Sequence, residues 1–449
     1  MRRATIQPGR LCLVPVVLAG VFPLAGGIAA PDRAAARTLL VAQDGGGEFT
    51  RIQDAIQVAN HGDVVSVAPG HYLERILFGG RRIQVRSTDG PARTTIDAAG
   101  SGSVVTMSFG ESGETLLEGF TLTGGTGTHI SLADAEAAGS PELQARRHRA
   151  GEPLLLSQVP PAASLATTSP EGRSQLAFGG AVLLLSASPV LRNLIIEGND
   201  ANVGGGLYAW STLPTVERCL FRDNSAGLGA HVALDPNTNI RMSDCRFEGG
   251  VSASGGAIWL QFARFELRDS WIEANSGGEG GAIYSIGGTT AALLDHCVLR
   301  ANRAGYGSAV FLRDSRIRLS RCTLVDNEFD LEDQGAIYLV ENSTAELNRC
   351  AFSGNGLNPT FCQDSSVSAT CSVFWPLAPS CASGSDNRVA DPLFCNQHQG
   401  NFRLRSESPC RSENAPGDCG TIGWSAILCG APADELDPGK ERTEGRRQP

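Results

Sequence analysis

Gly280-Gly-Ala-Ile-Tyr-Ser-Ile-Gly-Gly-Thr-Thr-Ala-Ala-Leu-Leu-Asp-His-Cys-Val-Leu-Arg-Ala-Asn302 decides the fold, because its ingredients recur on both sides. The small residue after the glycines returns as Ala181, Gly206, Ala230, Ala257, Ala282, Ala309 and Ala336, at intervals of 24–27 residues. The Ala230 copy is ambiguous by one position. Later in each copy an aliphatic column runs from Leu191 to Leu347. Three residues on comes Leu194, Cys219, Cys245, Ser270, Cys297, Cys322, Cys350. A second apolar column follows, and then Asn199, Asn224, Gly250, Asn275, Asn302, Asn327, Asn355. Self-similarity of this kind marks a repeat architecture.

Each unit alternates polar and apolar residues between Gly, Asn and Asp turns, which predicts short strands rather than helices. A unit of about 26 residues cannot bury its own core. Stacked coils can, because every strand then pairs with its copies above and below, ~4.8 Å away. The reading is therefore all-β: a right-handed parallel β-helix of ~26-residue coils. Identical columns become ladders. Buried Asn at a turn propagates as a hydrogen-bonded stack, and Cys serves as a small buried hydrophobe. Ser270 in the Cys column points to size rather than redox chemistry. Rung-to-rung disulfides are the other reading, with awkward stacked geometry.

Working outward, the chain has 449 residues, 54 of them Gly, and a formal net charge of −10. That acidity excludes a nucleic-acid binder. Lys440 is the single lysine, so Schiff-base and P-loop chemistry lack their residue. Arg2, Arg3 and Arg10, the apolar residues 11–28 and small residues at Gly27, Ala29 and Ala30 read as an export signal over 1–29. No later stretch is long and apolar enough for a membrane span. The expected location is secreted or cell-surface, with the periplasm as an alternative. Of the 13 Cys, Cys12 precedes the apolar run, and seven crowd the C-terminus from Cys362 to Cys429. Export plus crowding implies disulfides. The odd number leaves one free or paired with Cys350.

Gly-Gly-Ala-Ile followed by Phe-x-x-Asn (Phe221 to Asn224, Phe352 to Asn355) resembles the repeats of chlamydial polymorphic outer-membrane proteins. The start, Val41-Ala-Gln-Asp-Gly-Gly-Gly-Glu-Phe-Thr-Arg-Ile-Gln-Asp-Ala-Ile56, resembles the pectate lyase and pectinesterase superfamily. Both resemblances imply the same right-handed parallel β-helix. Thr50 fits a helix N-cap before an amphipathic cap helix that plugs the first coil.

The organisation expected is a signal at 1–29, an N-terminal helical cap and first coils at 39–125, and a disordered insertion at 126–175. Repeat coils follow at 176–358, then a disulfide-rich closing region at 359–430 that blunts the terminal edge, and a disordered tail at 431–449.

The catalytic segments of pectinesterases, polygalacturonases and pectate lyases are absent. The column two residues past the small one holds Leu183, Tyr208, Val232, Trp259, Tyr284, Phe311 and Tyr338. Its neighbour column is aliphatic and inward, so alternation sends the aromatic one outward. Tyr208, Trp259, Tyr284, Phe311 and Tyr338 are therefore the carbohydrate-binding candidates, offering flat faces to sugar rings. Self-stacking cover is the other reading. Asp326, Glu328 and Asp330 could form a calcium loop or a solvated acidic turn; no other cofactor is indicated. His231 and His296 read as structural, since no paired base or nucleophile accompanies them. The leading function is a monomeric, non-catalytic surface protein that binds a polysaccharide or cell-surface glycan. The alternative is a polysaccharide lyase, hydrolase or epimerase with a divergent site. A carboxylate or Arg cluster beside the aromatic face would favour the enzyme.

Overall fold

The computed structural model describes residues 36–131, 167–168, 174–329, 335–356, 358–425 and 427–430. The export signal and the tail lie outside them. The described chain winds into a right-handed parallel β-helix of three sheets. One coil shows how. Ile258–Gln261 belongs to the second sheet, Arg264–Glu273 to the first, and Ser276–Glu279 to the third. Ile283–Ile286 then re-enters the second sheet one coil up, Ile258 facing Ile283 and Trp259 facing Tyr284.

Four left-handed residues turn the chain within this coil: Phe262, Asp269, Ala274 and Gly280. At Gly280 no other residue fits, since an added Cβ would sit 2.4 Å from the Ile283 carbonyl oxygen. The Asp269 corner explains the Cys column. The residue after each such corner points into an interior bend, filled by Leu194 in the first repeat and by Cys or Ser in the six that follow. Cys219, Cys245, Cys297, Cys322 and Cys350 are buried, unbridged thiols there. Each lies within 3.3–3.5 Å of the carbonyl oxygen two residues back, or 3.2 Å for Cys245. Ser270 makes the same contact through its hydroxyl.

The core is one continuous run of fully covered aliphatic and aromatic ladders. Each buried Leu, Ile or Phe contributes roughly 1.5–3 kcal/mol. The Asn column is buried as expected. Asn302 Oδ1 accepts from the Asn275 backbone and side-chain amides, while Asn302 Nδ2 donates to Ile272 O and Asn327 Oδ1.

The structure corrects four expectations. The cap helix, Ile52–Val58, has Arg51 rather than Thr50 at its N-cap, and no cap side chain of its own. Glu74 from the next coil fills that role, accepting from the Ile52 and Gln53 amides at 2.8 and 2.9 Å. The insertion is strand at its base: Thr128–Ser131 pairs antiparallel with Ser174–Phe178, which also pairs with Thr167–Thr168. The small-residue column takes His231, not Ala230, because Val232 faces Leu207 and Ile258.

The fourth correction concerns the C-terminal region. Coils continue past 358, through Ser366–Thr370 and Val373–Phe374 to Arg388–Val389. The described residues beyond them fold back along the outer flank of the first sheet, where Phe394, Phe402, Leu404, Ile422 and Trp424 cover Val298, Val325, Ala351 and Val373 in a second core. Disulfides join Cys362–Cys381, Cys371–Cys419 and Cys395–Cys429, and Cys410 stays free.

Candidate functional site

The third sheet meets the second at an outer crease, because the Gly280-type corners bend the chain sharply between them. Outward side chains of the two sheets face each other across this bend. Val203 and Leu228 end third-sheet strands, and they pack with Leu183, Tyr208, Trp259, Tyr284 and Phe311 in an apolar cluster separate from the solenoid core.

The aromatic candidates therefore sit outside the core but are not exposed. Tyr208 is 6 % accessible, Trp259 5 %, Tyr284 1 % and Phe311 2 %, while Tyr338 is half-buried. The flat faces meant for sugars are spent on each other: Tyr284 on Phe311 at 5.1 Å, Phe311 on Tyr338 at 5.3 Å, Tyr338 on Phe361 at 4.5 Å. Register also replaces Val232 by Ala233 in this column, so the stack is interrupted between Tyr208 and Trp259. Alternation fixed the side of the sheet. It could not reveal the neighbouring sheet folding over it.

Polar chemistry enters the crease at two stations. At the first, Tyr208 donates to Asp235 Oδ2 at 2.5 Å, and burial pushes the Asp235 carboxyl up to about 6. The second was not singled out from sequence. Glu279 ends a third-sheet strand beside Tyr284, and burial raises its carboxyl pKa against the pull of Arg313. The Tyr284 hydroxyl is raised strongly by burial, and further by Glu279. Arg313 lies over the Phe311 ring at 5.7 Å and 3.4 Å from Glu341. The Tyr284 hydroxyl, Glu279 Oε2 and Arg313 Nε are all buried without a hydrogen-bond partner. One signal could have exposed this station: the column Val203, Leu228, Ser254, Glu279, Tyr306 carries a single carboxylate.

The other candidates disperse. Asp326 is held by C-terminal residues, accepting from Gln397 Nε2 at 2.8 Å and facing His398 Nδ1 at 3.0 Å. Glu328 is exposed, Asp330 lies outside the described residues, and no cluster of three metal-ligating side chains occurs among those described. Asp326 is thus tied to the C-terminal flank. His296 bridges Asp269 and the Trp424 carbonyl, and stacks on the Trp424 ring at 4.2 Å. It is part of the flank interface.

No protein-family model matches the chain. It is similar to metabotropic glutamate receptor-like protein R of Dictyostelium discoideum, 28% identical over 155 residues, or 33% of this chain and 10% of that protein. The chain thus spans about a tenth of that relative's length. Among solved structures it is similar to pectate lyase Pel9A, at 13% identity over 87% of this chain and 96% of that one, with a TM-score of 0.49. Carrot pectin methylesterase aligns at 12% identity over 81% and 90%, TM-score 0.34. A family 28 exopolygalacturonase of Yersinia enterocolitica aligns at 11% over 80% and 76%, TM-score 0.38. These are likenesses of fold alone.

Proposed function

We propose that this chain is an exported or cell-surface protein that binds a polysaccharide in the crease at Glu279, Tyr284 and Arg313. Export is supported by the N-terminal signal pattern and by disulfides that need an oxidising compartment. Among the described residues no helix is long and apolar enough to cross a membrane. The protein acts as a monomer.

The observation that carries the reading is the partnerless Tyr284 hydroxyl beside the partnerless Glu279 oxygen. Each buried, unmade hydrogen bond costs roughly 1–3 kcal/mol. A sugar hydroxyl both donates and accepts, so one group answers both. The rings are buried against each other, so truncating them to Ala would test packing, not binding. The conservative variants Tyr284→Phe and Glu279→Gln are the informative ones. Against a glycan panel each is expected to weaken binding about 2- to 10-fold, the scale of one hydrogen bond. Unchanged affinity in both folded variants moves the site elsewhere.

One observation favours catalysis as a second reading. Glu279 is a carboxyl kept protonated to higher pH by burial, the property of a general acid, and Glu341 is a second carboxylate across Arg313. The same panel, assayed for reducing or unsaturated ends, separates a lyase, hydrolase or epimerase from a binder.

A further inference from the structure

The Asn ladder has one missing rung, at Gly250, and the small-residue column has one oversized member, His231. The two irregularities are one feature. The His231 ring, fully buried, occupies the place of the absent Asn side chain: a Cβ on Gly250 would lie 2.7 Å from His231 Nε2. That Cβ would also lie 2.7 Å from the Gly256 carbonyl oxygen, so Gly250 leaves room for both the ring and the neighbouring backbone.

Hydrogen bonding fixes the ring's protonation. Asn224 Oδ1 accepts from the Asn199 backbone and side-chain amides, so Asn224 Nδ2 must be the atom 3.1 Å from His231 Nδ1. That nitrogen is an acceptor. Asn275 Oδ1 accepts from the Gly250 amide and lies 2.9 Å from His231 Nε2, which therefore donates. The neutral ring completes the ladder from Asn224 to Asn275. A second proton, on Nδ1, would face the Asn224 amide donor. Asn224 cannot turn over without breaking the rung to Asn199.

We infer that His231 and Gly250 form an acid-sensitive joint in the middle of the solenoid, where protonation opens the stack between the Asn224 and Asn275 coils. Every other described rung is built from amides that do not titrate. The groups around the ring are Asn224, Asn275, the Gly250 amide, the Glu248 backbone and the Phe221 and Phe247 rings. No charged side chain is among them to favour the imidazolium. Burial lowers the ring's affinity for protons to a pKa of about 4. Its unfolded value is near 6.5. The folded value is the lower one, so stability is held above pH 6.5 and lost as pH falls toward 4.

Hydrogen exchange on the full chain, corrected for intrinsic rates, tests this. Amides of residues 224–256 should lose protection about tenfold per pH unit below 6.5, while the Asn302–Asn327 rung keeps its protection. His231→Gln should abolish that difference in slope. His231→Ala, which removes the titrating ring, should do the same. If neither variant folds, the comparison of rungs within the natural chain still decides. Equal pH slopes at both rungs, or a His231 imidazole titrating above pH 6 in the folded protein, would overturn the proposal.

Discussion

The repeat coils and the C-terminal flank solve one problem in opposite ways. Seven coils carry five buried thiols and no disulfide. All three disulfides lie at the C-terminal end: Cys362–Cys381 in the last coils, Cys371–Cys419 between those coils and the flank, and Cys395–Cys429 within the flank, which carries no repeat. In the coils each backbone group meets the same partner one coil away, and each Asn hands its carbonyl oxygen to the rung before it. Periodicity alone satisfies the polar groups there, so cysteine is free to be a small apolar filler. Among its described residues the flank has one strand pair, Phe394–Asn396 with Asn401–Leu404, and a single bridge from Leu404 to Leu428. Its loops gain little from backbone pairing and rely on covalent links and a patch of aromatics.

Reducing agent should break this contrast most strongly. Each of the two disulfides that hold the flank, Cys371–Cys419 and Cys395–Cys429, is expected to contribute roughly 2–4 kcal/mol. Calorimetry with and without reductant should show the flank's transition collapse while that of the coils stays in place. A joint shift of both would mean that the thiols of the coils also carry covalent order.

Asn302→Leu should come next. It strands the Asn275 amides and the Ile272 carbonyl inside the core, a cost on the order of 1–3 kcal/mol. Denaturant unfolding that changes by less than about 0.5 kcal/mol would show that the ladder is decorative. Cys322→Ser should be the mildest. Ser270 already fills the same column and bonds both Arg268 O and the Cys245 amide. A loss above about 2 kcal/mol would contradict a requirement for size alone.

The ladders could be read from the sequence because stacked residues share one environment, so selection for size and polarity repeats itself at Cys297, Asn302 and their copies. Three features were hidden, each for a physical reason. The burial of Trp259 and Tyr284 depends on an adjacent sheet, whose contribution in that corner changes from Val203 to Glu279 to Tyr306 and so leaves no constant pattern. The helix cap comes from Glu74, far along the chain from Ile52. The flank docks Trp424 on His296 across 128 positions, and no period links such residues. The register at His231 was misread because a large residue stood where the pattern demanded a small one, and that exception is the most informative position in the ladder.

Solenoids are free to gain or lose whole coils, since each contacts only its neighbours. Here the flank removes that freedom over part of the molecule. It touches Trp271 through Phe402, His296 through Trp424 and Asp326 through His398, and it covers Val373 in the last full coil. It works as a caliper closed on a fixed number of rungs. Duplicating a coil between Trp271 and Val373 would pull its jaws off their marks. Duplicating one before Trp271 would leave them untouched, so only the N-terminal half of this protein can change in length without refitting its other end.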